Sequence, residues 1–447
     1  MATPNTLHFI REEYIMSMVV KNNMSAISTL NTLNKNSSAL ASSLKKVSSG
    51  MKINSAADDA SGYAISERMR VQIRGLDQAN NNTQNGTSMM KVAEGAVSST
   101  VDILKTLKEK VINAANDTNT DSDRATIQKE LDQSIDQIND NANVTYNGKY
   151  LVDGSHNSKV TQTTTAMTNE SLGSNTTSGT LFCDMTDRNG NSLNIQGSDT
   201  ITMSIVREGK TETLSAYGSQ TLDALVKKSN ALKNGADISS GSTIGSDVAG
   251  DTVNTADGGN AITIHAAGTG VTNQISGLTF SVTNTKGQVQ KSANAVLDNF
   301  SETIRAQNKS DDNAISLQVG TKANQSIRVG LTDMRAEALG LQSSTGATIQ
   351  IGTQEKANAA INVLDNAVQK ALDQQTTIGS VESRLSYTSS NLTTASENVQ
   401  ASESTIRDAD MAKEMTEYTK NNVLLQAAQS MLAQANQSSS SVLSLLQ

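Results

Sequence analysis

Few residues of this 447-residue chain have the types and spacing that active-site chemistry requires. Its three histidines, His8, His156 and His265, are scattered, and none has a partner at metal-ligand spacing. No His-Glu-x-x-His motif or Gly-x-Ser-x-Gly nucleophile elbow occurs, and Gly-rich pieces such as Ala256–Asn260 lack the Lys-Ser/Thr of a phosphate loop. The single cysteine, Cys183, excludes a disulfide framework and a cysteine-rich metal site. We therefore expect no catalytic residue, metal site or cofactor, and we do not predict an enzyme.

The charged residues indicate a solvated surface rather than a binding site for nucleic acid or lipid. The net charge of −8 is mild and spread along the chain, whereas nucleic-acid binding requires a basic patch. No stretch approaches the ~18 apolar residues of a membrane span, and the N-terminal residues lack the charged-then-apolar pattern of a signal peptide. We interpret Asp58 and Asp59, with Arg68, Arg70 and Arg74, as helix caps and salt bridges between subunits.

Both ends of the chain carry apolar residues at alternating steps of four and three, a spacing that lines up side chains on one helix face. The N-terminal set includes Leu30, Leu33, Leu40, Leu44 and Val47, and the C-terminal set includes Leu424, Leu425, Met431, Leu432, Val442 and Leu445. Long helices owe most of their stability to tertiary contacts, and these two are rich in small residues. We therefore predict that the two ends pair as helices that become ordered on assembly and form a self-assembly core.

Between the ends the periodicity changes twice. Further helical stripes begin at Met90, Ile127 and Ala357, and Asn147-Gly148 predicts a hairpin over 144–152. From 153 to 313, short alternating segments lie between Gly- and Asn-rich turns, so we expect strands and a sparse core. The predicted strands cover 200–206, 261–265 and 278–282, a short helix is predicted at 222–232, and helical signals resume at about residue 314. The predicted fold class is mostly α with an inserted β-rich domain.

Several segments resemble bacterial flagellin. VSSGMKINSAADDASGYAISERMRVQIRGL over 47–76 and QSMLAQANQSSSSVLSLLQ over 429–447 are similar to the N- and C-terminal signatures of that family. AANDTNTDSD over 114–123 and VTYNGKYL over 144–151 match its turn and hairpin in the expected order. The resemblance covers 18–154 and 314–447, and the middle matches nothing, as expected of the family's variable outer domain.

The resemblance implies a domain plan and a function. The plan is an extra segment at 1–17, an inner coiled-coil domain at 18–56 and 404–447, a helical rod with a β-hairpin at 57–153 and 314–403, and a variable outer β-rich domain at 154–313. The implied function is that of a structural subunit that polymerises into the extracellular flagellar filament for swimming. Such a subunit is exported unfolded through the flagellar type III apparatus, and its partners are copies of itself, an export chaperone, the filament cap and hook-associated proteins.

Two other functions stay open at this point. A hook–filament junction protein belongs to the same family, although the closing VLSLLQ over 442–447 favours flagellin itself. An intracellular coiled-coil signalling scaffold belongs to a different class, and it would need continuous heptads, which the segment from 153 to 313 interrupts.

The chain departs from the family in two places. Family members usually begin near the pattern found here at Met18, so we hypothesise that translation starts at Met16 or Met18. The family's Toll-like receptor 5 segment reads Arg-x-Arg-Glu-Leu, and this chain has Thr106 in place of an arginine and Lys110 in place of the apolar anchor. The segment keeps two acidic positions, Glu109 and Glu130. Because an ammonium in place of a buried apolar contact costs desolvation, we predict weak activation of that receptor.

Overall fold

The structure, a computed structural model, describes residues 23–161, 163–229 and 238–445. Its α-helices in these ranges are α1 (Met24–Ser49), α2 (Ala60–Ala114), α3 (Asp121–Ala142), α4 (Leu222–Val226), α5 (Lys291–Leu297), α6 (Gln354–Arg407) and α7 (Met411–Leu445). The chain divides into two compact units, one of Met1–Asp77 and Thr393–Gln447 and one of Gln78–Leu392. The fold is mostly α with an inserted β-rich part, as predicted. Residues 1–22, which include the predicted extra segment and both proposed start sites, Met16 and Met18, lie outside the described residues.

Short antiparallel strands make up the β-rich part and two hairpins. The strands are β1 (Thr145–Tyr146), β2 (Lys149–Tyr150), β3 (Ala166–Asn169), β4 (Thr200–Arg207), β5 (Lys210–Tyr217), β6 (Ile238–Gly241), β7 (Thr243–Ser246), β8 (Thr252–Asn254), β9 (Ala261–His265), β10 (Gly277–Thr283), β11 (Ser301–Ile304), β12 (Ile315–Gln318) and β13 (Ser326–Val329). The larger sheets have the orders β10-β4-β5 and β11-β3-β9-β6. The three strands predicted from alternation are therefore confirmed as β4, β9 and β10.

Helices α2, α3 and α6 build the main core of the larger unit. The predicted stripe on α2 is buried along its whole length: Met90, Ala93, Val97, Thr100, Leu104, Leu107 and Val111. On the facing helices, Leu131, Ile135 and Ile138 of α3 and Leu364 and Ala371 of α6 belong to the same buried cluster. The three-and-four spacing thus identified the inner faces of these helices correctly.

The turn between α2 and α3 is fixed by side chains that satisfy helix ends. Thr120 and Asp123 form a capping box, in which the Thr120 side chain accepts from the Asp123 amide and the Asp123 carboxylate accepts from the Thr120 amide. Arg124, which is buried, donates from Nε to the Ala114 carbonyl at 2.9 Å and from Nη2 to the Asn116 carbonyl at 3.1 Å. These bonds occupy carbonyls that the end of α2 would otherwise leave unpaired.

The inserted part has a substantial core of its own, so the expectation of a sparse core was wrong. Three of the four phenylalanines, Phe182, Phe280 and Phe300, are buried there with Met167 and Ile201. Each short strand contributes only a few apolar residues, and the sheets bring them together from distant positions. The ends of this part meet in an antiparallel bridge, where Val160 and Ser310 exchange backbone hydrogen bonds of 3.0 and 3.2 Å.

The expectation that helix resumes at about residue 314 was wrong for the next forty or so positions. Strands β12 and β13 pair as a hairpin there, irregular segments follow, and α6 begins only at Gln354. Asn324, Gly340 and Gly346 adopt positive φ angles of 65°, 81° and 86°, which a helix does not accommodate. The short helix predicted at 222–232 ends at Val226, and residues 230–237 lie outside the described residues. The hairpin about Asn147-Gly148 is confirmed as β1–β2.

Candidate assembly surface

Helices α1 and α7 lie side by side in the smaller unit and run antiparallel. Asn23 Nδ2 donates to the Ala435 carbonyl at 3.1 Å, and Asn36 Nδ2 donates to the Leu424 carbonyl at 3.2 Å. The contacts therefore move backwards along α7 as they move forwards along α1. Pairing of the two chain ends as helices was predicted, and the structure contains it.

The seam between these helices is made of small and polar side chains. The buried residues are Ser43 on α1 and Ala428 and Ala435 on α7. Asn421 Nδ2 donates to Ser43 Oγ at 3.1 Å across the seam. Within the described residues, α1 buries no apolar side chain. Because burial of apolar area is the main source of helix-pair stability, this pair is weakly held within a single chain.

The large apolar side chains of the predicted self-assembly core are instead left open on one chain. Leu30, Leu44, Leu424 and Met431 expose 44%, 51%, 42% and 62% of their surface. Five further members are half-buried: Leu33, Leu40, Val47, Leu425 and Leu432. The side chains of Val442 and Leu445 lie outside the described residues. Exposed large apolar side chains are typical of surfaces that bind other molecules.

Polar contacts connect the C-terminal end of α1 to the segment between α6 and α7, and we call this set of contacts the polar joint. Gly50 ends α1 with φ of 70°, and its carbonyl accepts from the Ala409 amide at 2.9 Å. The Lys52 amide donates to the Arg407 carbonyl at 2.7 Å. The Arg407 side chain is buried; its Nη1 donates to Glu67 at 2.7 Å and its guanidinium lies 5.4 Å from the centre of the Tyr63 ring.

Charge and capping at this joint agree with the sequence interpretation in part. The Arg407 side chain holds the pKa of Glu67 below its usual range. Asp59 caps α2 by accepting from the Ser61 and Gly62 amides at 3.0 Å, which confirms the predicted cap. Asp58 closes a turn by accepting from the Asn54 and Ser55 amides, and these bonds lower its pKa. Arg70 pairs within the chain with Glu67, at 3.5 Å.

Sequence reasoning missed the polar residues that hold the seam and the joint. The heptad stripes pointed to leucines and methionines, but the bonds across the seam come from Asn23, Asn36 and Asn421. Their recurrence among small residues was the available signal, since amides at helix seams bond to the facing backbone. Arg407 gave no signal of its own, because its partners come from segments hundreds of positions away.

The predicted receptor segment lies on the surface of α2 and α3. Lys110 and Glu130 form an ion pair of 3.0 Å that joins the two helices. Thr106 is exposed and its Oγ1 donates to the Asp102 carbonyl, and Glu109 is exposed nearby. The position predicted to match the family's apolar anchor is thus occupied by a lysine that is ion-paired with Glu130.

The described part of the chain offers little chemistry elsewhere. It holds no group of three or more His, Cys, Asp or Glu residues arranged to bind a metal ion. Burial and Asp184 raise the pKa of the Cys183 thiol, which disfavours the reactive thiolate. Among the described helices, none combines the length and the apolar content needed to cross a membrane.

Comparison with known proteins gives consistent matches at both ends. The family described as "Bacterial flagellin N-terminal helical region" matches residues 20–157, and "Bacterial flagellin C-terminal helical region" matches residues 361–446. A flagellin of Clostridium tyrobutyricum is 34% identical over 94% of this chain and 99% of its own, and one of Bacillus subtilis is 31% identical over 96% and 100%. The solved structure of FliC from Burkholderia pseudomallei is 18% identical over 67% of this chain and 99% of its own, with a TM-score of 0.26.

Proposed function

The chain belongs to the bacterial flagellin family and is a self-polymerising structural subunit of the extracellular flagellar filament, and we propose that the paired helices α1 and α7 are the surface through which its copies assemble. This proposal rests on how the apolar and polar side chains are distributed over the α1–α7 pair. Small and polar residues lie between the two helices, while Leu30, Leu44 and Met431 remain exposed. A stable monomer would bury such residues, whereas a subunit keeps them for its neighbours.

The proposal extends to the other residues of the predicted self-assembly core. Leu33, Leu40, Val47, Leu425 and Leu432 are half-buried, so further burial is available to each. Val442 and Leu445 continue the same heptad pattern. We expect these side chains to gain burial from helices of adjacent subunits, since heptad-spaced residues pack along the whole length of a helix.

The domain plan remains a proposal. The separate buried cluster around Phe182 and Phe280 supports an outer domain at 154–313. The cluster shared by α2, α3 and α6 supports a rod made of 57–153 and 314–403. We assign 18–56 and 404–447 to the inner coiled-coil domain, and 1–17 to an extra segment.

Further properties follow from membership of the family. We propose export of the unfolded chain through the flagellar type III apparatus and contacts with an export chaperone, the filament cap and hook-associated proteins. We propose no catalytic role, because the relatives are named flagellins. Activation of Toll-like receptor 5 is proposed to be weak, since Lys110 is paired with Glu130. A hook–filament junction role is less well supported, because the named relatives are flagellins.

The test compares polymerisation of the full chain with that of a chain ending after Ala409, which lacks α7. The full chain should grow long filaments in electron micrographs, and the truncated chain should remain monomeric in analytical ultracentrifugation. Circular dichroism provides the control, because the truncated chain should keep the helical signal of α2, α3 and α6. Filaments from the truncated chain would contradict the proposal, and a full chain that grows no filaments alone would favour a junction protein.

A further inference from the structure

The methionines of the described residues divide into a buried set and an exposed set. Those of the larger unit are all buried, with at most 7% of their surface exposed: Met89, Met90, Met167, Met185, Met203 and Met334. The exposed ones all lie on α1 or α7, namely Met24, Met411, Met415 and Met431. Two others in the smaller unit, Met51 and Met69, are half-buried. Exposed thioethers are therefore confined, within the described ranges, to the α1–α7 pair.

The exposed methionines lie at both ends of this helix pair. Met24 begins α1, and Asn23 beside it donates to a carbonyl one turn beyond Met431 on α7, so these two methionines lie at the same end. Met411 and Met415 lie in the first turns of α7, at the opposite end of the pair. A neighbouring molecule that covers the pair along its length therefore covers methionine at each end.

Met431 belongs to an apolar stripe whose other members are chiefly leucines. It follows exposed Leu424 by one heptad and directly precedes half-buried Leu432. A thioether suits such a surface, because the flexible methionine side chain fills irregular gaps between packed helices. It differs from leucine in one chemical respect, since its sulfur can accept an oxygen atom and become a polar sulfoxide.

Hydrogen peroxide can supply that oxygen without a further reactant. The sulfur lone pair attacks one peroxide oxygen, and the O–O bond breaks as the S–O bond forms. The departing hydroxide takes the proton of the transferred hydroxyl and leaves as water, so sulfur is oxidised by two electrons and the peroxide is reduced. Because the peroxide must reach the sulfur, Met24 and Met431 react readily, whereas the buried methionines of the larger unit are protected.

We propose that oxidation of the exposed methionines, above all Met431, blocks polymerisation of the free subunit, and that reduction of the sulfoxides restores it. This inference rests on the proposed function, because it requires adjacent subunits to cover α1 and α7. Burial of the sulfoxide oxygen among apolar side chains, without a hydrogen-bond donor, is unfavourable. The core of the larger unit stays intact, since its methionines are inaccessible. In a finished filament the covering subunits shield Met431 from the peroxide.

The test treats the free full-length subunit with hydrogen peroxide, removes the peroxide with catalase, and quantifies sulfoxide at each methionine by peptide mass spectrometry. Met24 and Met431 should react at least about tenfold faster than Met90 and Met167. The critical concentration, which is the subunit concentration left in solution after filaments are pelleted, should rise at least about tenfold, equivalent to ~1.4 kcal/mol. Methionine sulfoxide reductases that act on both sulfoxide epimers should restore it to within about twofold.

The matched control is a variant in which leucine replaces the four exposed methionines, since leucine keeps the apolar volume and cannot accept oxygen. Its changes are Met24→Leu, Met411→Leu, Met415→Leu and Met431→Leu. Peroxide should leave the critical concentration of this variant within about twofold of its untreated value. If the variant does not assemble, the reductase step decides the question, because it uses the parent chain.

Oxidised parent subunits that assemble at the untreated critical concentration would overturn the proposal, as would equal inhibition of the leucine variant by peroxide or a loss of assembly that the reductases do not reverse. Oxidation of preformed filaments separates this inference from the proposed function. Met431 should react at least about fivefold more slowly in filaments than in the free subunit. Equal rates would contradict the proposed function together with this inference. Protection of Met431 in filaments, combined with normal assembly of its sulfoxide, would overturn this inference alone.

Discussion

Removal of exposed apolar side chains from the α1–α7 pair should weaken polymerisation and leave the monomer unchanged. The changes are Leu44→Ala on α1 and Met431→Ala on α7. These side chains expose 51% and 62% of their surface on a single chain. Neither contributes a full apolar contact to the monomer, so neither change should lower its thermal midpoint by more than about 2 °C.

The magnitude follows from the area that remains to be covered. Complete burial of a Leu or Met side chain stabilises by about 2.5 kcal/mol, so covering roughly half of one contributes about 1.3 kcal/mol per subunit. Truncation to alanine removes most of that contribution, about 1 kcal/mol. Because ~1.4 kcal/mol corresponds to tenfold in an equilibrium constant, each variant should raise the critical concentration about fivefold, and the double variant about 25-fold if the effects add.

The assay measures the concentration of subunit that stays in the supernatant after filaments are pelleted at equilibrium. Tyr217→Ala is the matched control, because Tyr217 is 60% exposed on β5 and belongs to the compact unit that does not contain α1 and α7. It should leave the critical concentration within about twofold of the parent value. A double variant with the parent critical concentration would refute the assignment of α1 and α7 as the assembly surface.

Two further predictions follow from α2 and α3. Arg124→Met should lower the free energy of unfolding by about 3 kcal/mol in urea titrations, because it leaves the Ala114 and Asn116 carbonyls unpaired. The control is Lys129→Met, at an exposed position of the same helix, which should change the free energy of unfolding by less than about 0.5 kcal/mol. Equal effects of the two changes would refute the role of Arg124. The parent chain should activate a Toll-like receptor 5 reporter cell only weakly. Lys110→Leu should raise the response, because the substitution removes the ion pair with Glu130 and restores an apolar side chain. A parent response as large as that of a strong activator would contradict the prediction.

The sequence predicted best those elements whose signal is local. The stripe from Met90 to Val111 repeats without interruption over six turns or so, and every member is buried. The hairpin at Asn147-Gly148 depends on two positive φ angles, 51° and 76°, which these residue types tolerate. In both cases the residues that determine the element lie within it.

Features that depend on distant residues were not predictable in this way. The core around Phe182 draws one to three residues from each of several short strands, so no window of sequence displays it. Segment 319–353 contains apolar residues at helix-like spacing, but glycines with positive φ interrupt it. The assembly surface was located by its stripes, whereas its polar seam was missed because amides such as Asn36 bond to backbone atoms whose position only the fold defines.

The bridge between Val160 and Ser310 has a consequence for how this protein can diversify. Both crossings of the chain into the inserted part occur at one pair of hydrogen-bonded residues. The segment between Val160 and Ser310 can be lengthened, shortened or exchanged without changing the distance between the two residues at which the chain enters and leaves the inserted part. Selection can therefore reshape the surface that each subunit presents to its surroundings while the helices before and after it keep their sequence.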